Sequence, residues 1–114
     1  QARPTPEPKL RRAPYFNVWT DGRICTGTVN LPESLSPAAL QRFERAFFDS
    51  EFTHPNVKGK ARLVNHPQGA YALWASLFKS PPGASFPDAV LVPMKLTVQG
   101  LAKHLEAGTR FDDE

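Results

Sequence analysis

Hydrophobic positions change their rhythm along this chain. In "YFNVW" (residues 15–19) and "RICTGTV" (residues 23–29), aromatic and β-branched residues gather on either side of Thr20, Asp21 and Gly22. Asp-Gly is among the strongest short hairpin signals, because the turn it makes needs positive φ. The pattern therefore predicts a strand over 15–19 and a short strand or extended segment over 23–26, with Gly27 and Pro32 punctuating irregular chain beyond. The period then lengthens to that of a helix: Leu40, Phe43 and Phe47 recur, with Gln41, Arg42, Glu44 and Arg45 between them. Ser36 and Pro37 supply a cap and a first-turn proline. That helix should end near Ser50, since Pro55 disfavours helical geometry at His54.

A second helix is predicted over 68–79, with Tyr71, Trp74 and Phe78 on one face and the stop Pro81-Pro82-Gly83 behind it. Val90 to Val92 reads as a strand or as buried extended chain. Thr97 looks like the cap of a last helix carrying Val98, Leu101 and Leu105, closed by Gly108. The phenylalanines, Trp19 and Trp74 are expected in the core. A hairpin followed by helices gives an α+β class: a short antiparallel hairpin or partial sheet with about three helices packed on one side.

Composition narrows this further. The chain has 114 residues, 40% of them hydrophobic, which suits one compact domain. Its opening "QARPTPEPKLRRAP" is rich in proline and basic residues, so residues 1–14 read as a linker or arm, 15–108 as the domain and 109–114 as a tail. On this reading the chain is the C-terminal part of a longer protein. No apolar run approaches the roughly 18 residues of a membrane span. One cysteine makes no internal disulfide and, with three histidines, no zinc site of ordinary Cys/His spacing, so no metal or cofactor is expected. A reducing, cytoplasmic setting follows as the default. The net charge of +3 sits largely in Lys9, Arg11, Arg12 and the 58–62 loop "KGKAR", not in one stripe with interleaved aromatics. Solvated loops explain such charge better than nucleic-acid binding does.

The lone Cys25 is the chief candidate for chemistry, since a thiolate is a strong nucleophile. Taken alone it reads more readily as a small buried apolar residue at a hairpin end. Its neighbours add to this: Asn17 stands eight residues before it, Gly22 three before it, and Ile24 directly before it. That arrangement resembles the active-site segment of ubiquitin-conjugating enzymes, and "LSPAAL" (residues 35–40) resembles the lead into the helix that follows. The pair ahead of Asn17 is Tyr15-Phe16 where that superfamily has His-Pro, and a literal His54-Pro55-Asn56 lies instead beyond the first helix. From Tyr15 to Asn56 this combination resembles a bacterial branch, the PRTRC system protein B or prokaryotic ubiquitin-conjugating-like family D.

The resemblance implies a ubiquitin-conjugating-like fold and a transferase in which Cys25 accepts a ubiquitin-like C-terminus as a thioester. It implies a ubiquitin-like protein and an activating enzyme as partners, in gene sets that also encode a metal-dependent deconjugating peptidase. Asn17 would donate to the developing oxyanion or hold the loop's shape; apart from the resemblance, an asparagine there caps turn backbone. His54 would favour the thiolate or take the incoming amine's proton; the plainer reading is a turn histidine. A different class of reading is a non-catalytic interaction module of a PRTRC system, binding a ubiquitin-like or activating-enzyme partner. A third is a basic accessory protein touching DNA through its N-terminal arm. Neither a membrane nor nucleic acid is expected as a partner of the first.

Overall fold

The computed structural model describes residues 3–58 and 61–111. Gly59 and Lys60 of the basic loop, the first two residues of the expected arm and the last three of the expected tail lie outside these. The described elements are a strand β1 (Lys9–Arg11), helices α1 (Leu40–Phe48) and α2 (Gly69–Phe78), a strand β2 (Pro93–Thr97) and a helix α3 (Val98–Ala107). Short 3-10 turns precede α1 at Pro37–Ala39 and β2 at Asp88–Val90. The class is α+β, three helices with a two-stranded antiparallel sheet.

The sheet corrects the reading of residues 1–14 as a linker. β1 pairs with β2, Lys9 opposite Thr97 and Arg11 opposite Pro93, with an irregularity between the two pairs. The proline carbonyls are used as well: Pro8 accepts from Val98 N at 3.1 Å and Pro6 from Gln99 N at 3.2 Å. These are amide groups of the first turn of α3, which have no partner inside their own helix. Arg12 is buried, its backbone N–H donates to Val92 O at 2.8 Å and its guanidinium to the carbonyl of Arg62. Proline removes donors and leaves acceptors, so a segment that looks unfit for structure serves as the acceptor rail for a helix start.

The expected last helix is present with both of its ends in chemical order. Thr97 accepts from Gly100 N at 3.1 Å, and Gly108 closes α3 in the left-handed region at φ 64°. The run 90–92 contributes an isolated bridge, Leu91 opposite Val64, ahead of β2. In β2 the apolar positions Met94 and Leu96 are buried while Lys95 between them is exposed, the alternation of a half-buried strand.

The core departs from expectation. Its centre is aliphatic, Val57, Leu63, Val64 and Leu73, with Phe16, Ala70 and Leu77 among the side chains packed against it. Leu73 is 2% exposed, whereas Phe78 is 85% exposed. Helix α2 is apolar nearly all round, so its period alone does not choose a face. The stripe it turns inward is Ala70, Leu73 and Leu77, and Tyr71, Trp74 and Phe78 stand beside that stripe. Trp19 and Phe48 are also exposed, and α1 buries no residue fully. The aromatic residues thus form a flank on the core instead of its centre.

Candidate functional site

The hairpin around Cys25 is narrow and locally determined. Val18 bridges Ile24, Trp19 N donates to Arg23 O at 2.9 Å, and Gly22 N donates to Trp19 O at 3.0 Å. Gly22 takes φ 82°, a conformation that side chains resist, which is why the turn needs Asp-Gly. Asp21 fastens the turn to Arg23, accepting from its backbone N at 3.0 Å and pairing with its Nε at 2.5 Å. At the base, Cys25 N donates to Asn17 O at 2.7 Å. Cys25 is a free thiol, half-buried.

Tyr15 and Phe16 anchor this hairpin to two helices. The Tyr15 ring stacks on Trp74 of α2 at 5.6 Å between centroids and meets Phe47 of α1 edge-on at 5.2 Å. Phe16 meets Tyr71 edge-on at 4.9 Å. Offset and edge-on aromatic pairs of this kind contribute about 0.5–1.5 kcal/mol each beyond their burial. Trp74 Nε1 adds a bond to Pro14 O at 2.9 Å.

Asn17 is buried, at 5% exposure, and its amide is turned to the end of α1. Nδ2 donates to Ser50 Oγ at 3.1 Å, and Ser50 Oγ donates in turn to Phe47 O at 2.6 Å. Asn17 therefore touches Cys25 through its backbone carbonyl, while its side chain ties the hairpin to a helix terminus. Sequence reasoning did not find Ser50, which looked only like the place where the helix stops; no local signal marks a partner so far along the chain.

His54 is exposed, and its Nδ1 lies 3.3 Å from Thr53 Oγ1. Its segment returns to the hairpin through the backbone: Asn56 N donates to Phe16 O at 2.8 Å, and Tyr71 Oη donates to Thr53 O. Consecutive carbonyls, of Phe16 and Asn17, thus hold the His-Pro-Asn segment and Cys25 respectively. No hydrogen bond among the described residues joins the His54 ring to Cys25.

Two hollows adjoin the hairpin and share Ser50 and Phe52 in their walls. One, of about 280 Å³, is lined by Thr26 to Val29, directly after Cys25, and by Asp49 and Glu51. Gly27, at φ 55°, faces Phe52, whose Cζ would sit 3.5 Å from a Cβ added there. The other, of about 330 Å³, is aromatic, with Tyr15, Phe47, Phe48, Trp74 and Phe78 in its walls and Asn17 among its few polar groups. His66 belongs to a separate hollow with Leu63 and Val64, and His104 bonds Thr109 at the end of α3. Among the described residues no group of His, Cys, Asp and Glu is placed to hold a metal ion, and no helix is long and apolar enough to cross a membrane.

The bond between Asn17 and Ser50 makes a measurable claim. Asn17→Ala is expected to cost about 1–3 kcal/mol, since it removes a buried, hydrogen-bonded side chain, and Ser50→Ala a similar amount, since it strands the buried Asn17 amide. A double-mutant cycle by urea unfolding should give a coupling of about 1 kcal/mol. Additive losses would remove the tie.

Against known proteins, a family model described as prokaryotic E2 family D matches residues 1–94. No curated protein and no solved structure matches the chain.

Proposed function

The chain belongs to prokaryotic E2 family D, and from that premise we propose that it is a carrier holding a ubiquitin-like protein as a thioester on Cys25. The observation that supports this reading is that the backbone N–H groups of Cys25 and of Asn56, two residues after His54, donate to the neighbouring carbonyls of Asn17 and Phe16. In the charging step the Cys25 thiolate attacks the carbonyl carbon of the thioester between the ubiquitin-like C-terminus and the activating enzyme's cysteine. A tetrahedral oxyanion forms, the old carbon–sulfur bond breaks, and the activating enzyme's thiolate leaves. In the second step an amine attacks the new thioester, loses a proton, and expels the Cys25 thiolate as the amide forms.

Within this scheme Asn17 holds the shape of the loop. Its amide is engaged by Ser50, so support of the oxyanion from Nδ2 requires that bond to exchange. His54 is exposed and takes the part of proton acceptor for the incoming amine, a role a histidine fills within hydrogen-bond reach of the reacting nitrogen. The partners are a ubiquitin-like protein and its activating enzyme, as in the PRTRC gene sets whose members the chain resembles.

The test is a charging reaction of the chain with its activating enzyme, ATP and ubiquitin-like protein. The expected product is a heavier, reductant-sensitive adduct. No adduct, where the activating enzyme itself becomes charged, defeats the proposal and leaves a binding module. His54→Ala is expected to slow discharge to a free amine about 100-fold, the lower end for general base catalysis, with charging less affected. Equal discharge rates return His54 to the turn.

A further inference from the structure

The aromatic hollow beside the Cys25 hairpin, about 330 Å³, has the size and lining of a ligand site, and no residue in its wall is charged. Its rings come from three places: Tyr15 and Phe16 ahead of the hairpin, Phe47 and Phe48 of α1, Trp74 and Phe78 of α2. Several side-chain donors of the wall are engaged. Trp74 Nε1 donates to Pro14 O, Ser50 Oγ to Phe47 O, and Asn17 Nδ2 to Ser50 Oγ. The Asn17 oxygen is different. Asn17 is 5% exposed, yet its Oδ1 accepts no hydrogen bond among the described residues, and that atom is not sealed from solvent. The space it opens on is the hollow that Asn17 lines. An acceptor so nearly enclosed and left without a donor carries a cost that a ligand's N–H would relieve.

An uncommitted amide oxygen among aromatic rings selects a ligand that is both an N–H donor and a cation, because the ring faces carry the negative part of the quadrupole. An anion finds no counter-charge in this wall. Carboxylates stand close by: the exposed Asp49 and Glu51 line the adjoining hollow, which shares Ser50 and Phe52 with this one. Among organic cations, guanidinium fits better than ammonium. It is planar, stacks on rings, holds its N–H donors in a fixed fork, and sheds water more readily. The mouth is also wider than a small ligand covers, since Phe48 is 60% exposed and Phe78 85% exposed. An arginine's aliphatic stem and the chain that bears it would cover such rings. We propose that this hollow is the docking socket for an arginine side chain presented by a partner polypeptide. The inference rests on the hollow alone and holds whether or not Cys25 carries a thioester.

The experiment titrates the ¹⁵N-labelled full chain with the peptide acetyl-Leu-Arg-Leu-amide, with versions carrying lysine or citrulline (the uncharged isostere of arginine) in the middle, and with ethylguanidinium alone. The arginine peptide is expected to shift the amides of residues 15–17, 47–50 and 74–78 and the Trp74 indole N–H, with affinity that falls as salt rises. Phe78→Leu keeps apolar bulk but removes a ring face, and should weaken the arginine peptide about two- to fivefold while leaving the citrulline peptide unchanged. Because Phe78 is 85% exposed, that variant keeps the fold, which its unperturbed spectrum checks. Asp49→Asn/Glu51→Gln should weaken the arginine peptide about twofold and flatten its salt dependence. Equal binding of the citrulline peptide, tighter binding of the lysine peptide, no shifts or shifts elsewhere, or unchanged affinity in Phe78→Leu would each overturn the proposal. Ethylguanidinium binding as tightly as the peptide would overturn the polypeptide partner and leave a small-cation site.

Discussion

Cys25→Ala is expected to abolish the adduct with the ubiquitin-like protein, whereas Cys25→Ser should give a slower-forming adduct that survives a thiol reductant. Cys25 is the only cysteine in the chain, so no other residue can form the proposed thioester. A serine oxygen in its place gives an ester, which thiols cleave far less readily. Gel mobility with and without reductant separates the outcomes. The fold should tolerate both changes, because Cys25 is half-buried and its link to the hairpin runs through its backbone N–H to Asn17 O at 2.7 Å, which neither substitution removes. Matching thermal melts for wild type and Cys25→Ala check this. An adduct of undiminished yield in Cys25→Ala would sink the carrier reading.

The second large effect is on stability. Leu73→Ala should destabilise the chain by about 3 kcal/mol, within the roughly 2–5 kcal/mol seen for leucine truncations in cores. At about 4 °C per kcal/mol for a chain of this size, the melting temperature should fall by about 12 °C. Leu73 is the most buried large side chain described and sits in the Val57–Leu63–Val64 cluster. Phe78→Ala removes more atoms from the same helix but should cost under about 1 kcal/mol, because surface truncations seldom cost more and Phe78 is 85% exposed. Urea midpoints would decide the matter. A larger loss for Phe78→Ala than for Leu73→Ala would mean the inward face of α2 has been misread.

This contrast shows where the sequence stops being readable. Helix α3 could be read in full, since Thr97 and Gly108 encode its two ends within a few residues of chain. The Asp21-Gly22 turn was equally local. The face of α2 was not legible, because a helix that is apolar nearly all round carries no directional signal and its burial is set by Leu63 and Val64, brought in from outside it. The sheet was hidden for a related reason. Its register joins Lys9 to Thr97, and the proline-rich composition ahead of Lys9 signals loop by every local rule. In the candidate site, Cys25 and Asn17 stood out through their spacing, but the commitment of the Asn17 amide to Ser50 depends on where α1 ends in space. The Tyr15-Phe16 pair, conspicuous in the sequence as a departure, is accounted for by the rings it meets on α1 and α2.

The pairing of β1 with β2 also bears on the order in which this chain acquires its form. The Cys25 hairpin and the three helices close short loops and can form within their own neighbourhoods, but the sheet must close a loop that contains nearly all of them. Loop-closure entropy grows with the logarithm of length, and contacts of wide sequence separation form slowly. On a ribosome, β1 emerges early and waits for β2, so the hairpin takes shape while Lys9, Leu10 and Arg11 still lack their partner strand. Joining β1 to β2 is therefore a late step of folding, and the sheet that caps the start of α3 exists only once that step is complete.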